Sequence, residues 1–425
     1  MSSLNDEGAL GVLGRMKILL FAMCFVGAAA SAMAEFALKD GDTVVFLGDS
    51  ITAARRYDRI VENYTLLRFP QRKVTFFNAG RGGDTMTGAL ERLQREVFDR
   101  GATVLTVAFG VNDIGWGMKA DAEHKAAYLE SLRKLIGRCK EHGVRVFICS
   151  AAITNEDPER AEKGFLQQMC DEGLEVAKGL GAVTIDVQRY MRKVQRRVLE
   201  VNEKQKAPSK PTTLHVEDGV HLNDLGQLAM AVAILKGLGA PAEVSSAVVD
   251  AKEGRVEATD GCEVSGVKVD KDGIEFDRLD EGLPINFGAL GALNFLFVPI
   301  PAELNGYLLT VKGLAAGKYE LRAGGRLLGK FTAGQLGAGM NISSMTSNGW
   351  EPGGPWDAQA AALKMVTDAR MEVVGSESYR EMFLKEQPGV GELREETTKV
   401  LKELEVLQRR YAKPVKVRFE VRRVE

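Results

Sequence analysis

Histidine is scarce: His124, His142, His215 and His221 are the only four in 425 residues. They lie scattered among isolated cysteines, so the sequence offers no cluster of metal ligands. Cysteine is scarce too. Cys24 sits in an apolar stretch near the N-terminus, and Cys139, Cys149, Cys170 and Cys262 are spread too widely for a disulfide framework. Cys139 falls in a helical pattern and Cys149 in an apolar strand, a setting for two buried thiols or for one bridge between them. Neither sign of charge is in excess. With 56 Lys and Arg against 58 Asp and Glu the net charge is -2, which leaves no electrostatic footprint for a nucleic-acid partner. Beyond residue 34 no apolar run approaches the roughly 20 residues that cross a bilayer, so no membrane span is expected there.

The long apolar run that does occur is N-terminal. Arg15 and Lys17 precede Ile18 to Ala30 and the small-residue stretch Ser31-Ala32-Met33-Ala34, the pattern of a secretory leader, residues 1–34, cleaved after Ala34. Residues 1–14 are polar, carry Asp6 and Glu7 and suit such a leader badly, which makes Met16 an alternative start. A secreted or periplasmic location follows as an expectation. The apolar run is too short to favour a membrane anchor.

The rest of the chain is organised around Val44-Val45-Phe46-Leu47-Gly48-Asp49-Ser50-Ile51-Thr52. Four apolar residues make a short buried strand, Gly48 ends it, and a serine hydroxyl then stands at its carboxyl end, where open α/β sheets gather their ligands. A second strand ends in Asn78-Ala79-Gly80-Arg81-Gly82-Gly83-Asp84-Thr85, whose glycines let the backbone turn sharply and bring bare N–H groups near a ligand. A third runs into Gly110-Val111-Asn112-Asp113. Further strands are predicted at Val144–Ser150 and Ala182–Val187, with helices near Ala120–His142 and Glu159–Leu180 between them. Five apolar strands alternating with helices predict a parallel sheet covered on both faces. A charged helix, Tyr190 to Lys206, and the Pro208 to Pro211 segment lead to Asp218-Gly219-Val220-His221, just before a last helix. His215 reads as a solvent-facing loop residue, and Trp116, six residues past Gly110, is placed at the mouth of the site.

Beyond residue 240 the pattern changes to short alternating strands with glycine turns, including a Gly324-Gly325 hairpin. Gly324 to Lys330 copies the spacing of a phosphate loop, but Phe331 stands where Ser or Thr would hold magnesium. Residues 245–425 are therefore expected to form a smaller β-rich accessory domain with appended helices, after a first domain at 35–240. On the helix Val390 to Ala412, Leu393, Val400, Leu404, Leu407 and Tyr411 form one stripe that is expected to pack against a neighbour.

Four fragments, Gly48-Asp49-Ser50, Gly80, Gly110-Val111-Asn112-Asp113 and Asp218-Gly219-Val220-His221, occur in the order found in SGNH hydrolases, the GDSL esterase/lipase superfamily. The chain resembles that superfamily over about residues 43–238, with Ile51 where Leu completes the name. The resemblance implies a flavodoxin-like three-layer αβα sandwich with a parallel five-stranded sheet. It also implies an oxyanion hole made by the Ser50 N–H, the Gly80 N–H and the Asn112 amide. The residue types fit the chemistry. His221 has a side chain suited to take the Ser50 proton, and Asp218 is three residues away to hold its other ring nitrogen. Asp49 and Asp113 are read as bonding loop backbone groups, and Trp116 as a weak candidate for touching substrate.

The function so implied is serine ester hydrolysis without cofactor or metal, on a small-molecule or polysaccharide ester. An O-acetyl on a carbohydrate suits the leader and the appended domain. Lipid esters or thioesters are the alternative within the same chemistry, and a non-catalytic carbohydrate-binding envelope protein is the alternative outside it. Serine chemistry needs no ion, so turnover of p-nitrophenyl acetate is expected to survive EDTA. Loss of activity that zinc or magnesium restores would contradict this.

Overall fold

The computed structural model describes residues 35–205, 211–287 and 291–424. The expected leader, residues 1–34, and the Pro208 part of the Pro-bounded segment lie outside the described residues.

Short runs of β-branched and aromatic residues give the strands β1 (Thr43–Gly48), β2 (Thr75–Gly80), β3 (Val104–Ala108), β4 (Arg145–Cys149) and β5 (Val183–Ile185). They form a parallel sheet in the order β2-β1-β3-β4-β5, the flavodoxin-like arrangement. Around it lie α1 (Ser50–Ala53), α2 (Tyr57–Arg68), α3 (Met86–Leu93), α4 (Ala122–Glu141), α5 (Pro158–Ala161), α6 (Phe165–Gly179), α7 (Val187–Lys204) and α8 (Asp224–Gly237). The helix expected over Glu159–Leu180 is thus two, with Gly164 capping the second. Successive strand residues face opposite layers. Val44 and Phe46 pack with Tyr57, Met191 and Leu228 of α2, α7 and α8, whereas Val45 and Leu47 pack with Met86, Leu132 and Met169 of α3, α4 and α6. Each such side chain contributes about 1.5–3 kcal/mol on burial.

Two glycines let α1 lie directly on the strand ends. A Cβ on Gly48 would stand 2.1 Å from Thr52 Oγ1, and one on Gly80 2.1 Å from the Ala53 nitrogen. Any larger residue would push the first turn after Ser50 off the sheet. Asp49 caps that turn, accepting the Ile51 N–H at 2.9 Å.

The C-terminal region adds β6 (Glu243–Asp250), β7 (Arg255–Asp260), β8 (Cys262–Asp270), β9 (Gly273–Asp280), α9 (Ile300–Glu303), β10 (Gly306–Lys312), β11 (Lys318–Ala323), β12 (Arg326–Thr332), α10 (Ala333–Ala338), β13 (Met340–Asn341), α11 (Pro355–Phe383), α12 (Val390–Ala412) and β14 (Val417–Arg423). Two sheets result, β13-β10-β6-β7 and β12-β11-β14-β9-β8. Pairing is antiparallel except between β6 and β10, which run parallel across a long connection. Gly324 and Gly325 both take positive φ, 55° and 77°, in the β11–β12 hairpin, as a tight turn between twisted strands demands.

This region does not sit apart. Val249, Phe276, Tyr307, Leu321 and Phe419 belong to the same buried cluster as Val44 and Phe46, and the chain from Glu35 onward packs as one unit. The helices α11 and α12 cover α2 through a buried polar knot: Arg370 bonds both Glu62 oxygens at 2.7 and 2.6 Å, and Gln408 donates to Glu62 at 2.8 Å. The α12 stripe departs from expectation, because Leu393, Val400, Leu407 and Tyr411 stay exposed. Residues repeating every seven positions drift round a straight helix, and α12 instead buries Gln408 and Ala412. All four described cysteines are free, so Cys139 and Cys149 are unbridged. No helix among the described residues is long and apolar enough to cross a membrane.

Glu62 and Arg370 keep 3% and 5% of their side-chain surface. Arg370→Met is therefore expected to strand a buried carboxylate and to destabilise the protein by about 3–5 kcal/mol, read from the denaturant midpoint. An unchanged midpoint would show that the knot does not hold α11 and α12 to the sheet.

Candidate active site

Strand register assembles the site. In the parallel sheet Gly48 pairs with Gly80 on one side and with Ala108 on the other, so the loops that follow β1, β2 and β3 leave the sheet side by side. Ser50 opens the first, Gly82 and Gly83 lie in the second, and Asn112 in the third.

The fourth segment arrives from far along the chain. Asp218 Oδ1 accepts the Val220 and His221 N–H groups, each at 2.8 Å, and closes a tight turn. The His221 carbonyl takes the Val216 N–H at 2.9 Å, and the Gly219 carbonyl takes the Asn155 N–H from the loop after β4 at 2.7 Å. So held, His221 stands with Nε2 2.8 Å from Ser50 Oγ and Nδ1 2.6 Å from Asp218 Oδ2. The imidazole bond, helped by the backbone donors, pulls the Asp218 carboxyl down to about 2. An ionised Asp218 only accepts, so Nδ1 carries the ring proton and Nε2 offers its lone pair to the Ser50 hydroxyl. Serine, imidazole and carboxylate thus form one hydrogen-bonded chain.

Asn112 and Trp116 close the other side. Asn112 Nδ2 donates to the Asp84 carbonyl at 3.0 Å, and its Oδ1 accepts the Trp116 indole N–H at 2.8 Å. The indole meets the His221 ring edge-on at 5.6 Å and is half exposed. Trp116 has φ 58°, a left-handed conformation that costs a bulky residue about 1–2 kcal/mol.

Gly80 is a correction. Its N–H donates to Asn78 Oδ1 at 3.0 Å, and Asn78 is itself tied to the Thr52 carbonyl and to Asp58, both at 2.7 Å. The Gly80 N–H is therefore occupied, and this residue is glycine because α1 lies against it. Three residues on, Gly83 is exposed at φ 72° with nothing within 4 Å of a Cβ position. Among the described residues its N–H has no acceptor. The sequence signal was present in the run of three glycines; the structure sets Gly80 apart, while Gly82 and Gly83 both keep an N–H without an acceptor among the described residues. His215 also differs from expectation: it is buried, with Nε2 2.9 Å from the Ile153 carbonyl, because its backbone pairs with Leu222 beneath the His221 turn.

Sequence reasoning missed Arg92. It lies on α3, eight residues past Asp84, and is 3% exposed. Its guanidinium bonds the Asp84 carboxylate at 2.7 Å, the Ala79 carbonyl at 2.5 Å and the Gly48 carbonyl at 3.0 Å. Charged residues that fall near the apolar stripe of an amphipathic helix look solvated in sequence. Nearby, burial pushes Asp49 up to about 6 and Asp113 up to about 7. Asp113 Oδ1 accepts the Met86 N–H at 2.9 Å.

Fold and site together define an α/β hydrolase-type protein with its serine, histidine and aspartate at the carboxyl ends of a parallel sheet. Residues 46–229, somewhat less than half of the chain, match the GDSL-like Lipase/Acylhydrolase family, which supports an ester-hydrolysing enzyme. No family matches the C-terminal region. No curated protein matches the chain. Among solved structures, a gut microbial diltiazem-metabolizing enzyme is similar at 23% identity over 91% of this chain and 98% of its own, with a TM-score of 0.77. The fold of the C-terminal region as well as of the hydrolase domain therefore recurs there. An α/β hydrolase from the metagenome of Lake Arreo, Spain, is 21% identical over 48% of this chain and 98% of its own, with a TM-score of 0.39. The acetylxylan esterase Axe2 from Geobacillus stearothermophilus is 19% identical over 48% and 96%, with a TM-score of 0.40.

A carboxyl raised by burial binds its proton more tightly when folded. Its contribution is full below the ordinary value of 3.8 and is lost as pH rises through about 7. Asp113→Asn keeps the acceptor for Met86 but cannot ionise. The thermal midpoint of the native protein is expected to fall by a few degrees relative to this variant between pH 4 and pH 8. A constant difference across that range would contradict the assignment.

Proposed function

We propose that the chain is a secreted or periplasmic serine esterase that forms an acyl-enzyme on Ser50, with an O-acetyl on a carbohydrate as its substrate. The observation that carries this reading is the continuous hydrogen-bonded chain from Ser50 Oγ through His221 to Asp218, at 2.8 and 2.6 Å. His221 Nε2 takes the hydroxyl proton as Oγ bonds to the carbonyl carbon, and Asp218 steadies the imidazolium that forms. The tetrahedral intermediate collapses when His221 returns the proton to the departing alcohol oxygen. A water molecule, deprotonated in turn by His221, then attacks the acyl carbon; as the acyl–Oγ bond breaks, His221 returns that proton to Ser50 Oγ and the acid is freed.

Charge on the former carbonyl oxygen needs donors. Ser50 is the first residue of α1, so its N–H has no partner within the helix. The Gly83 N–H, in place of that of Gly80, and the second Asn112 amide proton complete the set. The exposed Trp116 ring beside His221 supports a sugar as the alcohol part, since aromatic faces pack well on flat apolar surfaces. The N-terminal apolar run supports the location. Release of acetate from acetylated xylan oligosaccharides, set against hydrolysis of long-chain p-nitrophenyl esters, tests the substrate: preference for the long chains would overturn the acetyl assignment.

Ser50→Ala and His221→Ala are each expected to abolish nearly all turnover, and the double variant should be little worse than either, because the two act as a unit. Asn112→Ala is expected to lower kcat on the order of 10²-fold with a much smaller change in KM. A variant that melts earlier but whose folded fraction turns over normally would remove Asn112 from the oxyanion hole.

A further inference from the structure

Trp116 does not sit where a core side chain would. It is half exposed, it follows Gly115 at φ 52° and precedes Gly117 at φ 96°, and it shares their left-handed backbone at φ 58°. The turn is held in that shape by the Trp116 N–H on the Val111 carbonyl and the Lys119 N–H on the Ile114 carbonyl, both at 2.9 Å. An exposed aromatic ring forced into such a conformation marks a position selected for where it points.

It points at two groups of the site, the His221 ring at 5.6 Å and Asn112 Oδ1 at 2.8 Å. The second contact fixes chemistry as well as place. An indole N–H can only donate and a peptide carbonyl can only accept. The Asn112 amide, caught between the Trp116 indole and the Asp84 carbonyl, is therefore satisfied in one orientation alone. Flipped, it would set its NH2 against a donor and its oxygen against an acceptor. In the orientation observed, Nδ2 gives one proton to Asp84 and keeps one.

We infer that Trp116 is a positioning residue, whose indole N–H locks the Asn112 amide so that the second Nδ2 proton faces the oxyanion. The inference rests on the serine-esterase reading above. Without the lock only the Asp84 carbonyl still opposes a second orientation, in which Oδ1 is offered to the oxyanion and repels it. The lock is preorganised before substrate binds, so its benefit belongs to the transition state rather than to ground-state affinity.

Trp116→Phe keeps the ring and removes only the N–H. It is expected to lower kcat about tenfold while KM stays within about twofold, with no change in thermal midpoint beyond that of an exposed substitution. The double variant Trp116→Phe/Asn112→Ala should match Asn112→Ala, because the lock has no effect once the amide is gone. Wild-type kcat in Trp116→Phe, or losses that multiply in the double variant, would overturn the proposal. A second readout is independent of turnover. The chain has three tryptophans, Trp116, Trp350 and Trp356, so the indole N–H resonance lost in Trp116→Phe identifies Trp116, and it should move in Asn112→Ala. A resonance that stays in place would also overturn the lock. Turnover that persists in Ser50→Ala would instead sink the esterase reading while leaving the resonance shift intact, which keeps the two failures apart.

Discussion

One buried guanidinium holds the catalytic end of the sheet together. Arg92 ties the last carbonyl of β1 at Gly48, the Ala79 carbonyl near the end of β2 and the carboxylate of Asp84 in the loop beyond it. Ser50 leaves from the first of these, Gly82 and Gly83 lie between the second and third, and the Asp84 carbonyl anchors Asn112. Each group assigned to the proposed reaction on this side is therefore positioned relative to a single planar, permanently charged fork. Arginine suits the task because its donors are fixed in one plane and it cannot be neutralised. The charge is expensive to bury, and Asp84 and Glu96 offset it. With that corner rigid, only the turn bearing Asp218 and His221 has to be brought in from elsewhere, and its own hydrogen bonds make the pair nearly local.

Much of this was legible from sequence. The five strands and their order of appearance follow from apolar runs closed by Gly48, Gly80 and Gly110, and the polar residues that follow those runs are the ones the sheet brings together. Asp218 and His221 were readable because three residues of separation on one turn bring carboxylate and ring within reach. Register is what sequence left open. Nothing in Gly80-Arg81-Gly82-Gly83 says which N–H is free, since that depends on Asn78 reaching forward two residues and on α1 resting on Gly80. Arg92 was hidden for a related reason: apart from Glu96 one turn on, its partners are two backbone carbonyls and the Asp84 carboxylate, which no periodicity marks. The α12 stripe misled because spacing shows which residues share a face but not which face the neighbouring helices cover, here the one bearing Gln408 and Ala412.

The C-terminal region has a physical role that its strand pattern did not announce. It shares one buried cluster with the α2, α7 and α8 face of the hydrolase sheet, and α11 reaches back along α2 through Arg370 and Thr367 to Glu62 and Asn63. Because α2 follows the catalytic turn by only three residues, anything that fixes α2 also steadies α1 and Ser50. Tyr57 at the start of α2 makes the connection explicit, bonding Thr52 Oγ1 at 2.9 Å. The helix α11 thus bears on the turn that carries Ser50 through its contacts with α2.

The central claim is that Ser50 carries the acyl group, and covalent trapping tests it most directly. A p-nitrophenyl phosphonate should lose p-nitrophenolate as Ser50 Oγ bonds to phosphorus, with the proton passing to His221. Mass spectrometry of the digested protein should then find the phosphonyl adduct on the peptide containing Ser50, formed in step with the loss of esterase activity, and no adduct in Ser50→Ala. An enzyme that loses its activity with the label on another residue, or that stays fully active once Ser50 is labelled, would contradict the account.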